Sequence, residues 1–180
     1  MTKLFVCAVV AGAVVSNAGA TEFWQFDGTN DVSFSKAGFA DTSDPANWDV
    51  ISASVAITRG DLQGLYNPLV DSFYTGAGPN GTLWLFGNTV QDVLDGTVDI
   101  TDFNDWEPAT GGPGGGPPST VGQDAVLYLV AEDRYIDIKF TGWGIGPGSG
   151  GSFSYDRAVP APGVLGVMGI AGMGLVRRKR

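Results

Sequence analysis

Histidine is missing from the 180 residues, which removes the serine–histidine–aspartate triad, imidazole proton transfer and the usual zinc and copper ligand sets at once. Carboxylates are what is left for catalysis. A glycosidase needs two of them across a sugar ring, one held protonated and one ionised, and Glu22, Glu107 and Glu132 are the only glutamates. The aspartates fall mostly in turn or strand-edge contexts, where capping and solvation account for them, so the chain is expected not to be an enzyme. The acidic ladder Asp92, Asp95, Asp99, Asp102 and Asp105 supplies the hard oxygens that calcium prefers. Aligning Gly96 with the central glycine of a helical calcium loop puts Gln91 and Val93 where aspartates are needed. That leaves a looser calcium site on a strand edge, weighed against a solvated strand face; no other cofactor is expected. The glycine-rich segments lack the following Gly-Lys-Ser/Thr of a phosphate loop.

Five tryptophans, Trp24, Trp48, Trp84, Trp106 and Trp143, are many for a chain of this size. Flat aromatic faces stack on sugar rings while neighbouring Asp and Asn bond hydroxyls. This singles out Asn47-Trp48-Asp49 and Asn104-Asp105-Trp106 as candidate glycan contacts. The competing reading makes tryptophan a filler of a β core.

The elements that must position these residues read as strands. Ile51, Ala53, Val55 and Ile57 alternate with Ser52, Ser54, Ala56 and Thr58; Ile136, Ile138 and Phe140 alternate with Asp137, Lys139 and Thr141; Phe153 and Tyr155 alternate with Ser152, Ser154 and Asp156. Period two marks a half-buried strand. Further strands are expected over Phe23 to Phe26, Val32 to Lys36, Thr82 to Phe86 and Thr97 to Phe103, with the apolar Ala125 to Val130 as a central one. Asp61 to Leu69 is read as a short turn, Glu132-Asp133 as a hairpin turn, and Pro108 to Ser119, with nine Gly or Pro in twelve, as a loop. Seven to nine short strands predict an all-β fold, an antiparallel β-sandwich or jelly-roll-like body. An N-terminal signal peptide and a C-terminal transmembrane helix are expected to flank it.

Those flanks are legible in order and charge. Lys3, the apolar run Leu4 to Val15 and the small residues Ala18-Gly19-Ala20 form a signal peptide over 1–20, cut by signal peptidase after Ala20, with Ala18 and Ala20 filling its shallow pockets. At the other end, Val159-Pro160-Ala161-Pro162 precede the uncharged stretch 163–176 and the basic run Arg177-Arg178-Lys179-Arg180. A helix over 163–176 is about 21 Å long at ~1.5 Å per residue. Local bilayer thinning and snorkelling arginines make that length tolerable. The basic run 177–180 is then a cytoplasmic stop, and the body lies on the far side. Prolines, apolar helix and basic cluster in this order resemble a PEP-CTERM sorting tail over 159–180, with Ala161 where that family carries glutamate. The resemblance implies recognition and processing by an exosortase-type membrane enzyme.

Between the flanks, residues 21–158 are expected to form one domain. All nineteen Asp and Glu lie there against five Lys and Arg, a net charge of −14, which repels nucleic acid. Cys7 lies in the leader, so this body must be stable without disulfides. The runs Arg134 to Trp143 and Gly150 to Arg157, with Val55 to Arg59, Gly64 to Asn67 and Gly122 to Val126, resemble an uncharacterised extracellular β domain of exported bacterial surface proteins. The resulting expectation is a non-catalytic protein of the cell surface or a biofilm-type extracellular matrix. It would be exported as a membrane-anchored precursor, then stay on the surface or be released. The alternative is a carbohydrate-binding module contacting an exopolysaccharide.

Overall fold

The computed structural model describes residues 20–111 and 116–160. Of the expected terminal motifs, Ala20, Val159 and Pro160 belong to this region; Ala18, Ala161, Pro162, the helix 163–176 and Arg177, Arg178, Lys179 and Arg180 lie outside the described residues.

The fold is mostly β, built from two sheets. Nine strands are described: β1 Glu22–Trp24, β2 Val32–Lys36, β3 Asp49–Val50, β4 Ala56–Arg59, β5 Leu65–Tyr66, β6 Thr82–Phe86, β7 Asp124–Leu129, β8 Arg134–Trp143 and β9 Phe153–Arg157. The larger sheet has the order β2-β9-β8-β7-β6, antiparallel throughout, and β1 adds in parallel to the start of β8. The smaller sheet is the antiparallel order β3-β4-β5. Two short helices, α1 Val90–Leu94 and α2 Trp106–Ala109, lie between β6 and β7 in the chain.

Alternation puts Trp84, Leu127, Ile136, Ile138, Phe140, Phe153 and Tyr155 on one face of the larger sheet. There they share a core with Ile51, Val55, Ile57 and Leu65 of the smaller sheet and its approach. Fully burying such a side chain contributes roughly 1.5–3 kcal/mol, which is how a body without disulfides is held. The opposite face is covered in part: Val126 and Tyr135 pack with Val90 of α1 and Phe103. That double coverage explains why β7 reads as a continuous apolar run. Its place between β6 and β8 agrees with the central strand expected there.

A register shift between Phe140 and Gly142 in the β8–β9 pair has a further effect. A β-bulge shifts the alternation by one residue, so Phe140 and Trp143, three apart, both meet Phe153 or Tyr155 on the core side.

Three local expectations are corrected. Residues 51–55 are not strand: Ser52 and Ser54 form a turn whose hydroxyls donate to Glu132 Oε1 at 2.6 and 2.5 Å. The strand begins at Ala56, and all four of its residues are buried. Thr97 to Phe103 is not extended either, because Asp99 caps a 3-10 turn at 100–102, accepting from the Thr101 backbone N–H at 2.7 Å. The turn expected over Asp61 to Leu69 contains β5. By contrast β2 and β6 match the expected spans residue for residue.

Candidate functional site

Of the two tryptophan motifs, the one around Trp106 has its ring buried. Trp106 is 1% exposed, tilted against Trp143 at 5.3 Å between ring centres and edge-on to Tyr74. A buried ring has no face to offer a sugar, so the glycan expectation for Trp106 is corrected to a core role. Its Nε1 finds no hydrogen-bond partner among the described residues. Asn104 and Asp105 are exposed beside it, and Asn104 forms an isolated bridge to Trp84.

Asp49 is corrected in the same way, because it is buried and fully engaged. Arg157 donates to it through Nε at 2.6 Å and Nη2 at 2.8 Å, and the Tyr155 hydroxyl donates at 2.8 Å. Burial works against the Arg157 charge, but the hydrogen bonds and charge of Asp49 outweigh it and raise the guanidinium pKa. Burial, then Asp49, pushes the Tyr155 phenol well up. This trio ties β3 of the smaller sheet to β9 of the larger. Trp48 is half-buried, its Nε1 donating to the Thr42 carbonyl at 2.8 Å, and the Asn47 amide donates to the Asp41 carbonyl at 2.8 Å.

Each of the three glutamates has a partner, Glu22 accepting from Arg134 Nε at 2.8 Å. Glu107 accepts from the Tyr74 hydroxyl, whose pKa is raised by burial and then by that contact. Glu132 is held by the Ser52–Ser54 turn, and although burial opposes its charge, those two hydroxyls hold its pKa below the usual range. In the acidic ladder, Asp92 and Asp99 cap turns: the Thr89 backbone and hydroxyl keep Asp92 low, and Thr101 does the same for Asp99. Among the described residues no three His, Cys, Asp or Glu gather into a metal-ion cluster.

What the structure does bring together is one end of the body. Three loops converge there, after β2 (37–42), between β4 and β5 (60–64) and between β8 and β9 (144–152). Arg59 is the staple: its Nε donates to the Gln63 carbonyl at 2.7 Å, and Nη1 donates to the carbonyls of Gly144 at 3.0 Å and Ser152 at 2.8 Å. Its guanidinium lies 3.7 Å from the Trp143 ring centre, a cation–π contact, and burial lowers its pKa to about 10. Glycines let the loops interlock. A Cβ on Gly38 would meet the Ser149 carbonyl oxygen at 2.2 Å, and one on Gly151 the Gly60 carbonyl oxygen at 2.0 Å.

Phe39 sits in that clasp with φ of 60°, a left-handed conformation that bulky residues rarely adopt. Its N–H donates to the Gly150 carbonyl at 2.8 Å, and its ring remains 66% exposed. A cleft of about 340 Å³ opens beside it, lined by Phe39, Ala40, Asp41, Thr42, Gly60 and Asp61. Sequence reasoning missed this cluster, since its members come from loops 18 positions or more apart, as Thr42 and Gly60 are, and carry no shared pattern. The one available signal was the Gly144 to Gly151 run, which reads in the sequence only as a glycine loop dividing the last two strands.

No protein-family model, no curated protein and no solved structure matches the chain.

Proposed function

We propose that this chain is an exported, non-catalytic protein of the cell surface or extracellular matrix, carried to the membrane as a precursor and sorted through its tail by an exosortase-type enzyme. The observation that supports the reading is where the first and last described strands fall. β1 begins at Glu22, two residues past the expected signal peptidase cut, and β9 ends at Arg157, two residues before Val159-Pro160. Those bounds are compatible with one β body between the two signals read from the sequence. Its net charge of −14 suits a soluble domain. Among the described residues, no helix is long and apolar enough to cross a membrane, and the expected span lies outside them.

Fractionation of cells producing the whole chain tests this. The full chain should reach the membrane or surface fraction, and a chain ending at Pro160 should be released outside. Recovery of the full chain from the cytosol, uncut at both ends, would refute the proposal.

A further inference from the structure

The body has two ends with opposite roles. The chain enters the fold where the Glu22 N–H donates to the Asp133 carbonyl and leaves where the Ala158 N–H donates to the Asp137 carbonyl. Both contacts lie in or just before the first residues of β8. The three interlocked loops lie at the other end of that strand, about 17 Å away from Ile138 at ~3.4 Å per residue. Whatever the tail is attached to, these loops are presented on the side away from it.

Their composition is unusual for a loop cluster. Phe39, Leu62 and Ile145, one from each loop, are 66%, 65% and 73% exposed. Beside Phe39 the cleft is lined mainly by polar surface, and its lining residues include Asp41, Thr42, Gly60 and Asp61. Ser43 donates twice to Asp41 Oδ1, at 2.8 Å each, which holds that side chain in place, with no donor to Oδ2 among the described residues. An exposed ring held in a strained backbone and fixed by glycine contacts is pre-organised, so a ligand meets it without an ordering cost.

A flat apolar face bordered by hydrogen-bond acceptors is complementary to a sugar, whose ring has C–H faces and a hydroxyl rim. The charge of −14 on the body disfavours uronic acids, sulfated sugars, anionic lipid and a second copy, although Lys36 and Arg59 beside Asp61 offset part of that field locally. The geometry points to a saccharide-binding site at this end. Phe39 is its stacking platform, Asp41 and Asp61 are its acceptors, and a neutral or amine-bearing glycan is its ligand.

The test uses the full chain in a polyoxyethylene detergent, which carries no sugar, and affinity electrophoresis through dextran, mannan, β-1,3-glucan, chitosan and alginate. Retardation by at least one of the first four and none by alginate is expected. Phe39→Asn removes the ring with a residue that accepts the left-handed backbone. It should weaken binding at least about five-fold with an unchanged melting temperature. Asp61→Asn should also weaken it, and Trp48→Phe should leave it unchanged. Three results would overturn the assignment: no retardation by any of the four, retardation undiminished by Phe39→Asn, or a dimer in sedimentation that Phe39→Asn abolishes while no glycan is retained. The readout is blind to export and processing, so it can fail while the sorting proposal stands, or the reverse.

Discussion

Replacing Asp49 by Asn should cost more stability than any surface change of equal size, and the structure says why. Both side chains of the Asp49–Arg157 pair are 7% exposed, with Nε to Oδ2 at 2.6 Å and a second bond from Nη2 to Oδ1 at 2.8 Å. Asn preserves the volume and one acceptor but removes the charge, so the guanidinium stays buried without its counterion. Breaking a buried pair from one side costs about 3–5 kcal/mol. At about 2.1 cal/mol/K of unfolding entropy per residue, the domain spanning residues 21–158 should then lose roughly 10–17 °C in melting temperature. Chemical denaturation and calorimetry measure both quantities. Val50→Ser, next door and 56% exposed, should stay within about 0.5 kcal/mol of wild type. The double variant Asp49→Leu with Arg157→Leu should recover most of the loss, because neither charge is then stranded. A loss under about 1 kcal/mol for Asp49→Asn, or simple additivity in the double variant, would refute the claim that this pair joins the two sheets.

Two further effects follow from buried polar groups. Asn67 is fully buried and satisfied on both sides of its amide: Nδ2 donates to the Ser54 and Asn80 carbonyls at 2.8 and 2.9 Å, while Oδ1 accepts from Ala56 and Leu69 at 3.1 and 3.2 Å. Asn67→Asp turns a carboxylate oxygen onto two carbonyls, so unfolding in urea should show a loss of about 3 kcal/mol or more; a loss under about 1 kcal/mol would show that the amide is not what holds this turn. Burial, followed by neighbouring carboxylates, raises the phenol pKa of Tyr74, Tyr135 and Tyr155, and takes Tyr128 to about 12. The folded chain therefore keeps protons that the unfolded chain loses near the usual 10.0. This stabilisation is complete below that pH and declines as pH rises through it. Unfolding free energies at about pH 9 and about pH 11, read with phenolate absorbance, should show the decline; equal values would contradict it.

How much of this was legible in the sequence depended on the range of the interaction involved. β2 and β6 were readable because alternation reports local burial, one side chain at a time. Asp49 was misread because its partners, Tyr155 and Arg157, lie more than a hundred positions away, and an exposed Asn-Trp-Asp reads the same as a buried one. For Trp106 the sequence left glycan contact and core packing both open, and only the fold shows that Trp143 and Tyr74 pack against it. Alternation also fails at the bulge, where Trp143 turns to the core side against period two. The loop cluster around Phe39 left only the glycine run 144–151 as a trace, since its geometry depends on glycines whose neighbours come from other loops. Gly150 would place a Cβ 2.4 Å from the Phe39 nitrogen, a constraint no single-segment pattern contains.

The buried pair also bears on how the end of the chain is held. β9 stops at Arg157 opposite Ile138, and the same edge of β8 is taken over by β1 from Arg134 to Ile136. Entry and exit therefore share one strand edge, and the residue next to the exit grips the other sheet. A slip of β9 by one residue would bring Asp156 in place of Arg157 to face Asp49, opposing two buried carboxylates. Apolar residues at the same positions would fill the space but would tolerate that slip more readily. The ion pair thus penalises the misregistered strand at the place where a tail, pulling from Ala158 onward, would act on the body.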